Sequence, residues 1–520
     1  MSWAAEAQPA RRWTLSRSSV KVQGPSAEGQ LAFGTSLVLA GQVAFVACGY
    51  LLHFYTSRAL GAVAFGTYGV IINVLNWLQN ALNNGVPWAV RRFLAADPDT
   101  STEILRNGLR WQMIVGSVLF AGSVALAPWF SSLTADSTMT TYLRLAVVDL
   151  LTMALYTFYR GALNGLRLFA AQGISLASYA VAKLAFSVLF VGAGYSLAGA
   201  LVGNTLGTVA GWFVSWWLLR RATGEAAAER GGNRPAYGGR ALLSFALPTV
   251  VFTLASSFLT SIGLVAVKAV VRDEWQVAYY SAANQLALAP TLLLVTFSWT
   301  LFPLLAKSIA DRDAALTAAY IRAALRLLAL VLMPGVALVL GASPNLLRIV
   351  YPANFAAAAP LLNLLILGTG LYSLYMVFAN AILAEGRTVL ALGLPCVLVP
   401  VSLLATWYLA QRLGAVGAAL AAVLALGVAA VIHGAYVLRR FAVRPDWTSL
   451  LRIAGASAII YILSRVYMPH GLLLVSYCAA LAAAYLGLLL LFGEIAWRDL
   501  RQWQSQLRHL LRPRGAGSRT

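Results

Sequence analysis

The residues of this chain that could do chemistry are amides and a few isolated charges inside apolar sequence. Residues 66–88 are long enough to cross a bilayer, because about 20 helical residues rising about 1.5 Å each span a hydrocarbon core of about 30 Å. Five asparagines in this segment are spaced mostly by three or four residues, which places them on one helical face. Lipid offers them no hydrogen-bond partner, so the face must meet either another helix or a water-filled cavity that takes a polar substrate. These residues are Asn73, Asn76, Asn80, Asn83 and Asn84.

Three acidic or lysine side chains fall well inside apolar spans: Asp149, Lys183 and Lys268. A charge in lipid costs at least about 2.5–3.5 kcal/mol, so each should face protein or water. Asp149 and Lys183 lie at similar predicted depths in consecutive antiparallel helices. A structural ion pair between them is one hypothesis, and a cavity-facing Lys183 is the other. Lys268 lies close to the end of its span, where a lysine can snorkel to the membrane surface.

A second polar group lies in the predicted eighth span. Asn284 and Gln285 follow Tyr279 and Tyr280, and all are polar enough to face a cavity. Amides and aromatic rings suit a sugar, because they hydrogen-bond to hydroxyl groups and stack on ring faces. Polar packing between helices is the alternative for Asn284 and Gln285.

Signals of catalysis and of cofactor binding are absent from the sequence. None of the four lysines follows a glycine, so no phosphate-binding GK loop is present. The four histidines lack metal-ligand spacing, and Cys48, Cys396 and Cys478 lie in apolar spans, where they are expected to be small buried thiols. Asp311-Arg312-Asp313 lies on a short loop and is interpreted as solvated. We therefore predict that the protein is not an enzyme and holds neither a cofactor nor a metal.

Composition identifies the elements that must position these residues. The chain has 520 residues, of which 60% are hydrophobic and 11% are charged, with a mean hydropathy of +0.75. Such a composition indicates an all-α polytopic membrane protein. Residues 1–29 are polar and basic without an apolar centre, which is typical of a cytoplasmic tail. We predict fourteen spans, at about 31–55, 66–88, 109–131, 142–163, 171–194, 197–219, 241–270, 276–303, 322–342, 359–383, 389–410, 415–437, 451–468 and 471–492.

The net charge of +21 would suggest nucleic acid in a soluble chain, but its distribution excludes that interpretation. Of the 38 Lys and Arg, six lie in connections on one side and two within spans, which leaves 30 on the other side with the tails. Basic residues concentrate on the cytoplasmic side of membrane proteins. We therefore expect both termini in the cytoplasm and no nucleic-acid partner.

The two halves of the chain resemble each other. LAGALVG at 197–203 matches AVGAALA at 415–421, FGTYG at 65–69 resembles VAYYS at 277–281, and Arg167 of NGLR aligns with Arg387 of EGR. The interval between the matched segments is nearly the same in each case, which predicts two six-helix repeats with a binding site between them. The predicted parts are the tail 1–29, a first bundle 30–220, a linker 221–240, a second bundle 241–440, two helices at 441–493 and a basic C-terminal tail 494–520.

Seven segments in this order and spacing resemble the polysaccharide transporter family. That family belongs to a superfamily with the multidrug exporters, the oligosaccharide flippases and the lipid II flippase. The likeness extends over residues 30 to 440. The segments are RALGAVAFGTYG, NNGVPWAVRRFLA, VAYYSAANQL, LFPLLAKSIADRDAALTAAY, LRIVYPANFAAAAPLLNLLILG, ILAEGR and RLGAVGAALA.

The resemblance implies two bundles that form a V around a cavity open to either side in turn. It implies an undecaprenyl-diphosphate-linked oligosaccharide as substrate, moved across a bacterial inner membrane for polysaccharide or lipopolysaccharide synthesis without ATP. Membrane lipids, a coupling H⁺ or Na⁺ and a polysaccharide polymerase or ligase are then the expected partners. A cavity-facing Lys183 would attract the diphosphate. The family often has an acidic residue in the middle of the seventh span, where this chain has Thr260, Ser261 and Gly263 and no carboxylate.

Three alternatives stay open at this stage. A lipid II flippase is one, although SRALGAVAFG lacks the Arg-Asp that follows the first leucine-glycine pair in that family. A multidrug exporter is the second, usually with twelve spans. A membrane polysaccharide polymerase or ligase is the third and would be an enzyme. Such proteins usually have a large external loop with basic catalytic residues. The longest external connection predicted here, residues 343–358, contains one basic residue, Arg348, and no carboxylate.

Overall fold

The structure is a computed structural model that describes residues 27–96, 101–224, 239–289, 291–467, 469 and 473–494. These residues form α-helices joined by short connections, and they contain no β-strand. Most of both predicted tails, and residues 225–238 of the predicted linker, lie outside the described residues. Ten described stretches are long and apolar enough to cross a membrane, so the chain is an all-α multi-pass membrane protein, as predicted.

The first eight helices pack mainly against one another, and we call them the first lobe. Two of its spans are divided: α2 meets α3 at Gly85, and α5 meets α6 at Val148. Pro87 lies in the first turn of α3, where its missing N–H costs no helical hydrogen bond. The helices are α1 Ala27–Ala59, α2 Gly61–Asn84, α3 Val86–Ala96, α4 Ser101–Thr134, α5 Thr138–Val147, α6 Asp149–Gly165, α7 Phe169–Phe190 and α8 Ser196–Gly224.

The next six helices form the second lobe, and two more follow it, with α15 packed on α12. Aspartates begin several of these helices, because a carboxylate accepts from the free N–H groups of the first turn. Asp313 accepts from the backbone N–H of Leu316 at 2.9 Å, so part of the predicted solvated loop is a helix cap. The helices are α9 Gly239–Ala266, α10 Glu274–Ala287, α11 Thr291–Ala310, α12 Ala314–Val350, α13 Ala359–Ala384, α14 Thr388–Arg440, α15 Trp447–Val466 and α16 Leu473–Leu491.

Two of the ten apolar stretches are much longer than one crossing requires. Residues 169–223 and 389–440 contain 55 and 52 residues, and each contains a glycine with a positive φ, 93° at Gly194 and 63° at Gly414. Glycine adopts this conformation without steric cost, so the chain reverses there. The interval between these two glycines equals that between the aligned Arg167 and Arg387 of the sequence repeats. The total of fourteen crossings stays a prediction, as do the domain boundaries.

The lobes meet along α2, which packs against α9 and α10. A side chain at Gly66 would meet the backbone of Ala278, and one at Gly69 would overlap the side chain of Ser281. The absence of both side chains therefore lets α2 and α10 come close together. Further along α2, the Asn73 amide donates to the backbone carbonyl of Ser261 on α9 at 2.7 Å.

One end of the molecule, here called the outer end, contains the α1–α2, α4–α5 and α9–α10 connections and both chain reversals. Charged contacts join the two lobes there. The Lys268 ammonium, with a side chain only 2% exposed, lies 3.0 Å from Asp136 of the first lobe and 2.6 Å from Glu274 of the second. Arg58 of α1 donates to the backbone carbonyl of Val350 on α12 at 2.5 Å. The prediction that Lys268 snorkels to the membrane surface is wrong, because its side chain is buried beside a carboxylate from a distant part of the sequence.

Candidate functional site

The position of Lys183 depends on close packing between α7 and α8. Glycines recur at every fourth position of α8 and face α7, where small residues let two helix backbones approach closely. A side chain at Gly207 would come within 2.5 Å of the Lys183 backbone, and one at Gly211 within 2.8 Å of Tyr179. The glycines are Gly199, Gly203, Gly207 and Gly211. This spacing is a signal in the sequence that the predictions missed, and it indicates which face of α8 is packed.

Lys183 belongs to a row of cations and aromatic rings in the first lobe. Its ammonium lies 5.8 Å from the centre of the Tyr179 ring, which is within the range of a cation–π contact. Tyr179 stacks on Tyr156 of α6 at 4.9 Å, and the Arg160 guanidinium lies 5.4 Å from the centre of the Tyr156 ring. Lys183 and Arg160 are half-buried, and neither has a carboxylate oxygen within 4.0 Å in the described part of the chain.

The structure does not form the predicted ion pair between Asp149 and Lys183. Asp149 is fully buried at the start of α6, and its Oδ2 accepts from the Gln79 amide of α2 at 2.6 Å. Thr152 donates to Oδ1 at 3.2 Å. The carboxylate therefore accepts hydrogen bonds from neutral donors, and the Lys183 ammonium lies more than 4.0 Å away, although near enough for its charge to act on Asp149. Gln79 lies on the predicted amide-rich span, but its role depends on a residue 70 positions away.

The asparagine stripe of α2 has several different environments. The Asn73 amide is hydrogen-bonded to the α9 backbone, and the Asn84 amide donates to the carbonyl of Asn80 in its own helix. Asn76 is exposed, whereas Asn80 and Asn83 are half-buried. The Oδ1 atom of Asn83 is enclosed and has no hydrogen-bond partner among the described residues. Polar packing therefore occurs on this face, Asn76 is its exposed residue, and the lining of a substrate cavity stays a prediction.

The predicted site residues of the eighth span also lie in different environments. Asn284 and Gln285 of α10 are half-buried, and neither side-chain amide has a hydrogen-bond partner among the described residues. They follow Ser281 by one turn, on the side of α10 that faces α2. Tyr280, in contrast, is fully buried, with its hydroxyl against Gly263. Tyr280 therefore does not line a cavity in this structure, because the absent side chain of Gly263 makes room for its ring.

Exposure along α2 leads to a labelling prediction. In a variant without Cys48, Cys396 and Cys478, a cysteine at Asn76 should react quickly with a water-soluble thiol reagent, because thiolate forms only where water reaches. A cysteine at Leu75, which is 2% exposed, should react at least about tenfold more slowly. A reaction at Asn76 as slow as that at Leu75 would show that this face of α2 is packed.

The fold of the chain is similar to those of several solved membrane transporters. The lipid II flippase MurJ in an inward-closed conformation superposes with a TM-score of 0.68 at 15% identity, covering 89% of this chain and 100% of that chain. An inward-facing multidrug resistance MATE family transporter gives 0.64 at 14% identity, covering 79% and 98%. A MOP superfamily transporter from Pyrococcus furiosus gives 0.59 at 15% identity, covering 80% and 95%. The chain therefore has the fold of the MOP superfamily transporters.

The sequence comparison identifies the family. Residues 31–309, more than half of the chain, match the family model described as "Polysaccharide biosynthesis protein". The chain belongs to this family, which confirms the resemblance found in its motifs. No curated protein sequence matches the chain.

Proposed function

We propose that this protein is a flippase that moves a lipid-linked oligosaccharide, joined to undecaprenol through a diphosphate, across a bacterial inner membrane for polysaccharide or lipopolysaccharide synthesis. The observation that carries the proposal is the Lys183 ammonium, which has no carboxylate within 4.0 Å among the described residues. By helical rise it lies about 17 Å from the chain reversal at Gly194. A cation at membrane depth must face protein or water, and a diphosphate supplies its counter-charge. Membership of a polysaccharide biosynthesis family supports a glycan as the rest of the substrate.

The amides support recognition of the sugar part. Asn76 of the first lobe and Asn284 and Gln285 of the second retain free hydrogen-bonding capacity among the described residues. Sugar hydroxyls use such donors and acceptors, and partly exposed aromatic rings add stacking surfaces. The substrate would therefore bind between the lobes, with its diphosphate toward Lys183.

Transport would proceed by alternating access, with both termini in the cytoplasm and the outer end toward the periplasm. The contacts of Lys268 and Arg58 join the lobes at the outer end, so release on that side requires them to separate. Without a phosphate-binding loop in the sequence, the proposal assigns no ATPase to the chain. Coupling to H⁺ or Na⁺, and delivery to a polysaccharide polymerase or ligase, belong to the same proposal.

A lipid II flippase is the second candidate. Its specific support is the superposition with the lipid II flippase MurJ, which covers 89% of this chain, compared with 79% for the inward-facing MATE transporter. The two candidates share the undecaprenyl diphosphate and differ in the headgroup attached to it, so substrate competition separates them.

Reconstitution tests the proposed function. Vesicles with the purified protein should flip a fluorescent undecaprenyl-diphosphate oligosaccharide, measured as label that becomes accessible to an impermeant quencher. Protein-free vesicles and a labelled phospholipid are the controls. A rate no higher than that of protein-free vesicles would reject the flippase, and stronger competition by lipid II than by oligosaccharide lipids would select the second candidate.

A further inference from the structure

A polar pocket lies at the outer end of the protein, and both lobes contribute to its wall. Its volume is about 600 Å³, which is within the range of about 300–1,000 Å³ that ligand sites occupy. The first lobe supplies the starts of α2 and α5, the α4–α5 connection and the start of α8. The second lobe supplies the segment that joins α9 to α10. A ligand in this outer pocket therefore contacts both lobes at once.

Several hydrogen-bonding groups on the wall of the outer pocket are free. Thr67 of α2 is 5% exposed, and its hydroxyl has no hydrogen-bond partner among the described residues. Ser137 and Ser196 are exposed, and their hydroxyls also have no partner in the part of the chain that the structure describes. On the second lobe, Oε2 of Glu274 is enclosed and has no donor within the described ranges. Buried polar groups are normally hydrogen-bonded, so these atoms indicate a ligand that both donates and accepts.

The charged side chains of the outer pocket balance one another. Two are basic, Lys268 and Arg272, and two are acidic, Asp136 and Glu274. The Lys268 ammonium already contacts both carboxylates, at 3.0 Å from Asp136 and 2.6 Å from Glu274. A charged ligand finds no net opposite charge here, and it must compete with contacts that are costly to break. The lining therefore favours a neutral ligand.

Three backbone turns fix the shape of the outer pocket. Ala135, Ser196 and Arg272 line it and have positive φ angles of 51°, 46° and 56°. Residues other than glycine rarely adopt such angles, which persist only where the surrounding structure imposes them and which are frequent at ligand sites. Each of the three belongs to a different connection of the outer end. The wall is therefore preorganised before a ligand arrives.

We propose that the outer pocket binds a neutral saccharide of the exported glycan from the outer side and holds the lobes closed while it is bound. This inference rests on the proposed function for the identity of the glycan. Sugar hydroxyls match the free hydroxyls of Thr67 and Ser137, and the half-buried ring of Tyr142 offers a stacking surface. Opening of the outer end separates Asp136 from Lys268 and divides the pocket. The saccharide therefore binds the closed state better and shifts the equilibrium towards it, so that exported glycan slows further flipping.

Thermal shift of the purified protein tests the site. The probe is the oligosaccharide of the reconstitution assay, released from its lipid diphosphate by mild acid, and it should stabilise the wild type. T67V keeps the shape of the side chain and removes only an unpaired hydroxyl, so it should fold normally and bind several-fold more weakly, as should S137A. T67S retains the hydroxyl and should bind like the wild type. Ser132 is also exposed at the outer end but does not line the pocket, so S132A is the matched control.

A flipping assay tests the closure of the lobes. Free oligosaccharide is added outside the vesicles, on the side where the quencher detects the product. It should slow flipping by the wild type several-fold, and T67V should remove most of this inhibition. Binding without any change in flipping rate would overturn the closure. Binding that is equal in wild type, T67V and S137A would place the oligosaccharide elsewhere, such as the predicted central cavity, and would overturn the outer site even if the wild type flips substrate.

Two further outcomes separate the possible ligands and the two proposals. If inorganic pyrophosphate stabilises the wild type more than the oligosaccharide does, and R272Q abolishes that effect, the pocket is an anion site and the inference is overturned. If the wild type binds free oligosaccharide through Thr67 and Ser137 but flips no lipid-linked substrate, the proposed function fails and the saccharide site stands.

Discussion

Replacing Lys268 by methionine should open the outer end of the protein. Lys268 lies between Asp136 of the first lobe and Glu274 of the second, so its removal leaves two carboxylates facing each other across the lobe boundary. Loss of one member of a largely buried ion pair costs about 3–5 kcal/mol, and half of that already changes a conformational equilibrium more than tenfold. We expect the population of outward-open molecules to rise by about tenfold or more.

A cysteine at Ser281 would measure this opening. Ser281 is 6% exposed and contacts Gly69 where the lobes meet, so S281C should react slowly with an impermeant thiol reagent added outside the cells. K268M should accelerate that reaction about tenfold, and K268M/D136N should react more slowly than K268M because the repulsion is removed. E274Q keeps the contact between Lys268 and Asp136 and serves as control. An unchanged reaction in folded K268M would show that this contact does not hold the outer end closed.

The same contact should resist mild acid. Burial raises the pKa of Asp136, but hydrogen bonds from Thr138 and Lys268 and the charge of Lys268 outweigh it, so the pKa lies below its ordinary value of 3.8. A lowered pKa means that the stabilising contribution is fully present above the ordinary value and is lost as the pH falls through the lowered one. The labelling rate of S281C, divided by that of a fully exposed cysteine at the same pH to remove the titration of the thiol itself, should therefore stay constant between about pH 5 and pH 8 and increase only below pH 3.8.

Replacing Asp149 and Lys183 should have independent effects. D149A removes the acceptor of the buried Gln79 amide. It should lower stability by about 1–3 kcal/mol, whereas D149N keeps most of the hydrogen bonding. K183Q removes a cation without a carboxylate partner among the described residues, so it should leave stability unchanged and reduce flipping about tenfold or more. Because no close ion pair joins the two residues and only their charges interact over a longer distance, most of the two losses should add in the double variant.

Melting temperature and flipping rate, measured on D149A, K183Q and the double variant, decide between the two interpretations. An ion pair requires each single variant to be unstable and the double variant to recover. K183R and K307Q are the controls, because one keeps the charge and the other removes an exposed lysine in the second lobe. Recovery of stability in D149A/K183Q would support the hypothesis of an ion pair between Asp149 and Lys183. Normal flipping by K183Q would show that transport does not need the Lys183 charge, which would contradict the main argument for the proposed function.

The sequence predicted the class of fold correctly. Apolar runs of about 20 residues identify spans because each span must satisfy its own backbone hydrogen bonds within lipid. The motifs of residues 58–69 and 83–95 led to the right family, as the family model over residues 31–309 confirms. The candidate site residues remain predictions. The structure shows Asn76, Lys183 and Asn284 partly accessible and Tyr280 packed.

The errors have one physical cause, which is that the sequence does not state which distant residues share a contact. Asp149 and Lys183 have matching depths, but the rotation of α2 brings Gln79 to the carboxylate instead. Lys268 resembles a residue at the membrane surface until the α4–α5 connection places Asp136 beside it. The glycine spacing of α8 is visible in the sequence, whereas the helix that packs against these glycines is not.

By itself, the sequence determined the all-α membrane class and the family, because hydrophobicity, helical periodicity and short motifs are properties of residues a few positions apart. Only the tertiary structure decided which cations lack partners and which amides are occupied. Those properties depend on helix rotation and packing distance, which glycines such as Gly207 and Gly69 set at particular contacts. Only the folded structure therefore shows that no described carboxylate oxygen lies within 4.0 Å of Lys183 or Arg160.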